Sequence, residues 1–365
     1  MKHRDVIIIG GGFAGAATAW WLKKLGVDRV TVLEQEAFPG SHASGKNAGI
    51  ARQAVPETSV TVLAARSTSF LRHPPDGFCD VPLFDPTGGF LLSAEDHDPR
   101  LEALRRSALA AGVHTYPAER TEVLEQNPLL KESPFLSALA CPHDGLVDIH
   151  ALLSAYLAPV EILTGITVKG FQVDRRRIVS VKTTRGEFGA DWVINAAGAW
   201  AAALAAMAGA QPIGLTPKRR HLLHTGPLEG VQPHAPYIWS LYPAVYFRPE
   251  SGGLLLCPCD EMPWEPCSPP ADADAPLWLA QRLAAAFPHL ANIPIARTWS
   301  ELRTFSEDGA FVIGRDGWLS NFLWVAGLDG HGMTTSAAVG ELAASLLLGR
   351  TPPLDPAPYD PRRFK

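Results

Sequence analysis

The chain has 365 residues, 47% of them hydrophobic and 19% charged, with a formal net charge of −5. That length can bury a substantial core, and it predicts two domains rather than one. The ordinary balance of apolar and charged residues excludes a disordered chain, and scattered basic residues on a net negative chain give no footing for nucleic acid. No segment approaches the roughly 18 uninterrupted apolar residues of a transmembrane helix, while peripheral membrane contact stays open. The five cysteines are odd in number, and Cys257-Pro258-Cys259 has the spacing of neither a zinc knuckle nor a thioredoxin site. A reducing, cytoplasmic compartment is the simplest expectation.

The apolar run Val6-Ile7-Ile8-Ile9 reads as a buried strand. A signal peptide is rejected for this stretch, because the run leads directly into Gly10-Gly11-Gly12-Phe13-Ala14-Gly15, a G-x-G-x-x-G turn. A helix follows, with Ala14, Ala17, Thr18, Trp21, Leu22 and Leu25 on one face, and Gly26 suits the position past its end. A second strand, Val30 to Leu33, ends at Glu34. In such a unit the first glycine makes the tight turn, the second lets the backbone approach a pyrophosphate, and the third lets helix and strand pack closely. The helix N-terminus offers free N–H groups to phosphate, and an acid about 20 residues on takes the ribose hydroxyls.

Phe38 to Gly49 is a loop rich in glycine, serine and asparagine, which allows close backbone approach to a ligand. Residues 57 to 72 and 98 to 112 read as helices. Residues 166 to 198 read as a three-stranded meander, Ile166–Val173, Ile178–Thr184 and Phe188–Ala190, followed by a buried strand from Trp192. Arg175-Arg176-Arg177 falls at a solvated hairpin turn. Residues 238 to 256 alternate as sheet: Ile238–Tyr242, Ala244–Arg248 and Gly253–Leu256. Phe322 to Gly327 reads as a buried strand that enters the small-residue loop Leu328-Asp329-Gly330-His331-Gly332-Met333, and Thr334 to Leu347 as the helix after it.

Four stretches together resemble one family: GGGFAGAATAWWL from Gly10, SHASGKNAGI from Ser41, VINAAGAW from Val193, and the C-terminal block from Thr298 through Leu347. The chain resembles the D-amino-acid-oxidase-type flavoenzymes over nearly its whole length. Within that family it is most similar to the bacterial D-arginine and D-amino acid dehydrogenases, through HPPDGFCDVPLF from His73, LTPKRRHLL from Leu215 and AVYFRPESGGLLL from Ala244. The resemblance implies an α/β fold: a discontinuous Rossmann-like FAD-binding domain (1–78, 141–213 and 304–365) and an α+β substrate domain on a mixed sheet (79–140 and 214–303). It implies FAD as cofactor. Gly10, Gly12, Phe13, Ala14, Gly15, Glu34 and Gln35 would hold the ADP half. Ser41, His42, Ser44, Gly45, Lys46, Asn47 and Ala48 would line the middle and the ring. Val168 would touch adenine, Ala197-Gly198 would pass the pyrophosphate, and Gly327, Gly330, His331, Gly332, Met333 and Thr334 would bracket the pyrimidine end.

The implied reaction is oxidative deamination of an α-amino acid, more specifically the D form, to a 2-oxo acid and ammonia, with oxygen or a quinone as electron acceptor. Glycine, sarcosine and other secondary amines, or a 2-hydroxy acid, are alternative substrates, and a flavin-binding subunit of a larger complex is a further alternative. Arg303 matches the arginine that forks onto the substrate carboxylate, and Tyr246 the tyrosine that donates to it. Arg220 has two readings, a second active-site cation or a structural ion pair. His331 likewise either orients substrate and accepts a proton, or is an ordinary loop histidine. The chain departs from its D-arginine-specific relatives at Gly89, where they carry a glutamate that pairs with the basic side chain. Arg52, in the loop where they carry an aromatic lid, is expected to face the substrate and disfavour cationic side chains.

Overall fold

The computed structural model describes residues 2–364. Among the described residues the strands form two large sheets, of eight and nine strands, and a small one of three. The first sheet has a parallel centre. Lys2–Ile9 lies between Val30–Leu33 and Gly186–Asn195; Glu161–Leu163 extends one side and Phe322–Ala326 the other. Continuous apolar strands such as Val6–Ile9 belong there because both faces are covered. The helices Phe13–Lys24, Thr58–Arg72 and Ser336–Leu348 pack on one face, and Ala201–Ala208 covers the other. Gly340 permits the closest of these contacts, since a Cβ there would lie 2.6 Å from the carbonyl carbon of Ala17.

The first helix is buried around most of its circumference, not along one face: Phe13, Ala16, Ala17, Thr18, Ala19, Trp20 and Leu22 are all buried. The sheet and the C-terminal helix take one side. Trp20 turns the other way, into a cluster with Phe70, Phe78 and Tyr156. The meander also differs from expectation. Phe188–Ala190 and the run from Trp192 are one strand, Gly186–Asn195. Its first half pairs with Arg177–Thr183 and its second half with Phe322–Ala326, while Lys2–Ile9 runs along the opposite edge throughout. Exposed Asp191 marks only a solvent-facing position on a continuous ladder. The triple-arginine turn lies between two strands as expected, and Arg176 there donates to the carbonyls of Gly317 and Trp318.

The second sheet is mixed. Tyr237–Leu241 runs parallel to Gly89–Ser93 and antiparallel to Ala244–Glu250. Gly253–Cys257 and then Leu215–His224 follow, and Arg297–Ser306 pairs with Leu215–His224 over ten residues. That long pairing carries Arg220 and Arg303 toward the first sheet. The small sheet, Ile50–Ala51 with Gly145–Val147 and Phe84–Asp85, ties the glycine-rich loop to the second sheet.

Candidate functional site

A cleft of about 470 Å³ opens between the C-terminal ends of the parallel strands and the second sheet. Ligands of open α/β sheets bind in this position. Ile9, Gly10, Gly12, Phe13, Ala14, Glu34, Gln35 and Val168 line one part, and Arg220, Glu301, Arg303, Asp329 and Gly330 another. Ser41, His42, Ser44, Lys46, Asn47, Ala197, Gly198, Gly327, Gly332 and Met333 connect the two.

At the first part the glycines have separate steric causes. Gly10 sits at φ +111°, and a Cβ on it would stand 2.4 Å from the Ala196 carbonyl oxygen. A Cβ on Gly15 would stand 2.0 Å from the carbonyl oxygen of Gly10, so the helix lies directly on the turn. Gly12 faces Ser44 Oγ, 2.8 Å from where its Cβ would be, and Ser44 Oγ accepts from the backbone N–H of Phe13 at 3.0 Å. Gly12 has no side chain to cap the helix, and Ser44 takes only the Phe13 N–H, which leaves the other N–H groups of the first turn for a ligand. Glu34 is buried at the end of the second strand. Its Oε2 accepts from the Gly11 N–H at 2.8 Å and its Oε1 from that of Glu36 at 2.9 Å.

Several expected contacts stand behind the cleft wall rather than on it. Gly15 supports the turn. Gly45 packs on the Gly40 carbonyl, 2.3 Å from a notional Cβ. Ala48 is buried beside Tyr246 and gives its carbonyl to Arg248, and Thr334 Oγ1 donates to the Ile50 carbonyl at 3.1 Å. These residues shape the loops that the wall is made of. Ser41 and Asn47 do line the cleft, yet their side chains also brace the loop: Ser41 Oγ donates to Phe38 O at 2.7 Å, and Asn47 Oδ1 accepts from the Gly49 N–H at 2.8 Å.

The middle holds a charge network. Lys46 is hydrogen-bonded to buried Glu301, which also stands 3.7 Å from His42 Nδ1; His42 Nε2 contacts Glu36 at 3.0 Å. Glu301 raises the His42 imidazole above its ordinary range, against burial and with help from Glu36. The Trp200 ring lies 4.8 Å from that of His42 and closes this side. Glu301 and Trp200 escaped sequence reasoning. Glu301 was findable, since a strand turns residues i and i+2 to one face and Glu301 precedes Arg303 by two.

At the far part, Arg303 Nη2 donates to Tyr246 Oη at 3.3 Å. Gly330, at φ +72°, leaves the room: a Cβ there would stand 2.6 Å from Arg303 Cδ. Tyr246 is fully buried behind the wall, and burial holds its phenol neutral far above its ordinary range. Its ring stacks on Trp239 with centroids 4.2 Å apart. Arg220 is buried and lines the cleft, its Nε donating to the Asp260 carbonyl and its Nη2 to Glu261. Asp329 lines the cleft, and burial pushes its carboxyl up to about 7 despite Arg303. His331 is half-buried behind it. Burial, then the guanidinium groups of Arg52, Arg303 and Arg220, push its imidazole down to about 3. Gly89 has no space for a side chain, because Tyr237 ring carbons would lie 2.0 Å from its Cβ. The Tyr237 hydroxyl donates to buried Asp144 at 2.6 Å.

These features fit an FAD. The cleft is continuous from the capless helix and Glu34 to the arginines, its glycines admit a ligand against backbone, and its volume is that of an organic cofactor site. Among the described residues no group of three or more His, Cys, Asp and Glu side chains could hold a metal ion, and no helix is long and apolar enough to cross a membrane. The five cysteines form no disulfide.

Comparison with known proteins gives the same frame. The chain is 27% identical over 386 residues to 4-methylaminobutanoate oxidase (formaldehyde-forming) of Paenarthrobacter nicotinovorans, covering 99% of this chain and 46% of that protein. It thus spans less than half the length of this curated relative. It is 27% identical over 390 residues to the glycine oxidase of Pseudomonas aeruginosa, covering 98% of each. Among solved structures, L-proline dehydrogenase from P. horikoshii superposes with a TM-score of 0.89 at 28% identity, covering 100% of this chain and 98% of that one. These relatives are named for a methylated amine, glycine and a cyclic amino acid, and none of the three for D-arginine. A side chain at Gly89 would meet the Tyr237 ring. The family model for FAD dependent oxidoreductases (DAO) matches residues 5–346, and the chain belongs to that FAD-dependent family.

Proposed function

We propose that this chain oxidises a small amine that carries a carboxylate, of the glycine, sarcosine or cyclic secondary amine class, at its carbon–nitrogen bond. Arg303 at the end of the cleft, braced from behind by Tyr246, carries this reading. FAD, when bound, supplies the two-electron acceptor for the bond being oxidised.

The chain's own residues bind and orient. Arg303 offers a planar fork to both carboxylate oxygens and fixes which carbon faces the cofactor. Tyr246, buried behind the wall, accepts one N–H of Arg303 and so holds the guanidinium in place. Burial favours its neutral phenol. His331 is a poor proton acceptor with an imidazole near 3, so the amine enters in its neutral form or loses its proton to solvent. Gly10, Gly12, the first turn of the helix and Glu34 would hold the dinucleotide half, and His42, Lys46, Asn47, Gly327 and Met333 the remainder. The relatives' names favour glycine and N-substituted amines over the D-amino acid first expected, and the absence of an acid at Gly89 disfavours cationic side chains. Turnover of the FAD-loaded chain with an artificial acceptor tests the reading across glycine, sarcosine, L-proline, D- and L-alanine, D-arginine and 2-hydroxy acids. Glycine or a secondary amine should lead the series. A 2-hydroxy acid or D-arginine in first place would overturn it.

A further inference from the structure

An ammonium has no lone pair to support departure of hydride from the adjacent carbon, so the substrate nitrogen must lose a proton first. Three carboxylates line the cleft: Glu34, Glu301 and Asp329. Glu34 is held by two backbone N–H groups at the dinucleotide end. Glu301 is bound by Lys46, with His42 beside it. Asp329 differs from both, because among the described residues its carboxyl makes no hydrogen bond and no ion pair.

Backbone fixes its place beside Arg303. The Asp329 N–H donates to the carbonyl of Thr304 at 3.0 Å, one residue beyond Arg303. Gly330 lies on the Arg303 guanidinium, with 2.8 Å between a notional Cβ and Nη1. Gly327, Asp329 and Gly330 all take left-handed backbone, at φ +66°, +43° and +72°. Glycine adopts that conformation freely and aspartate at a cost, so a carboxyl is kept here against local strain.

The charged groups facing the carboxyl are Arg303 from Arg297–Ser306, Arg220 and Lys218 from Leu215–His224, and Glu261 from the segment after Gly253–Cys257. Lys218 and Arg220 both pair with Glu261, which leaves Arg303 as the cation for Asp329. His331, two residues on, is uncharged with its imidazole near 3. When a substrate carboxylate takes Arg303, Asp329 is released toward the rest of the substrate. Burial outweighs Arg303 and holds the carboxyl up to about 7, closer to the range of an amine than an ordinary aspartate and a better match for its proton.

We propose that Asp329 is the proton acceptor of the reaction and the port through which the substrate ammonium's proton reaches solvent. The N–H bond breaks and an O–H bond forms on Asp329. That proton then passes to water, since the residue is half-buried and Gly330 beside it is exposed. This rests on the amine-oxidation reading above and adds to it the step that readies the nitrogen.

The first test follows anaerobic bleaching of the FAD-loaded chain by saturating sarcosine or L-proline as a function of pH. The limiting rate should rise as pH passes upward through the Asp329 ionisation and then level. Asp329→Asn should lose on the order of 100-fold near neutral pH and recover only where the amine loses its proton unaided. Asp329→Glu should keep part of the rate. A profile unchanged in Asp329→Asn would overturn the inference. So would a variant equally slow at every pH, since a proton acceptor is dispensable once the amine arrives neutral. The second test needs no turnover. The infrared carboxyl band that Asp329→Asn lacks is titrated with acetate bound, then with α-aminoisobutyrate, which has no α-hydrogen to give up. The ammonium should place the ionisation about one pH unit or more below its position with acetate. Equal positions would overturn the inference. If no amine bleaches the flavin yet that difference holds, the proposed function fails and the place of Asp329 against the ammonium survives.

Discussion

Around Glu34 the cleft is made of backbone, and around Arg303 it is made of side chains. The first region comes from one contiguous stretch, in which Gly10, Gly12 and Gly15 press turn, helix and neighbouring strand together. Its recognition groups are N–H dipoles and a carboxylate held by two backbone donors. The second region draws on residues near 52, 220, 246, 303 and 330, carried by different strands and loops and joined by stacking and hydrogen bonds. A backbone site binds one invariant ligand and tolerates little change. A side-chain site can be retuned residue by residue, which is how one cofactor fold serves many substrates.

Substitutions should therefore divide by region. The largest effect is expected for Gly15→Val, because any side chain there meets the Gly10 carbonyl oxygen at 2.0 Å with no flexible group to yield. The purified protein should hold no flavin and melt lower, read by absorption and circular dichroism; a yellow, stable variant would show that the turn adapts. Next comes Arg303→Met. It should keep its FAD and lose about 2–5 kcal/mol of kcat/KM for carboxylate substrates, as expected when one partner of a buried charge pair is removed. An unchanged KM would remove Arg303 from the site.

Gly330→Ala should be milder. Its methyl would meet Arg303 Cδ at 2.6 Å, but that side chain can shift. A rise in KM of about fivefold is expected, from about 1 kcal/mol of displacement and left-handed backbone strain. The smallest effect concerns pH. The Asp329 carboxyl, held up to about 7 by burial, is neutral below that pH and charged above it. Once ionised it competes with the substrate carboxylate for Arg303, so KM should rise as pH passes upward through about 7. Asp329→Asn, neutral throughout, should flatten that step.

The same division decides what the sequence reveals. The strand, turn, helix and acid of the backbone-built region are local, so spacing alone identifies them, and the structure brings Gly10, Gly12, Glu34 and Gln35 to one wall. The reading of one apolar helix face misses Trp20, because periodicity cannot register that a helix is covered on both sides. The break read near Asp191 has the same origin, a solvent-facing polar residue inside a strand paired along both edges. At the other region, Arg303 and Tyr246 were reached only through family resemblance. Alternation in Trp299-Ser300-Glu301-Leu302-Arg303 would also have offered Glu301. Nothing local announces that Arg52 lies over Trp239, or that Tyr237 fills the space above Gly89, since each contact joins segments distant in sequence.

The most direct measurement is the visible spectrum of the FAD-loaded chain under anaerobic conditions, before and after adding a secondary amine that carries a carboxylate, such as sarcosine or proline. A yellow protein whose main band bleaches on addition, and bleaches far less readily in Arg303→Met, is the predicted result. A protein that takes up no flavin, or one whose colour no amine discharges, would contradict the account.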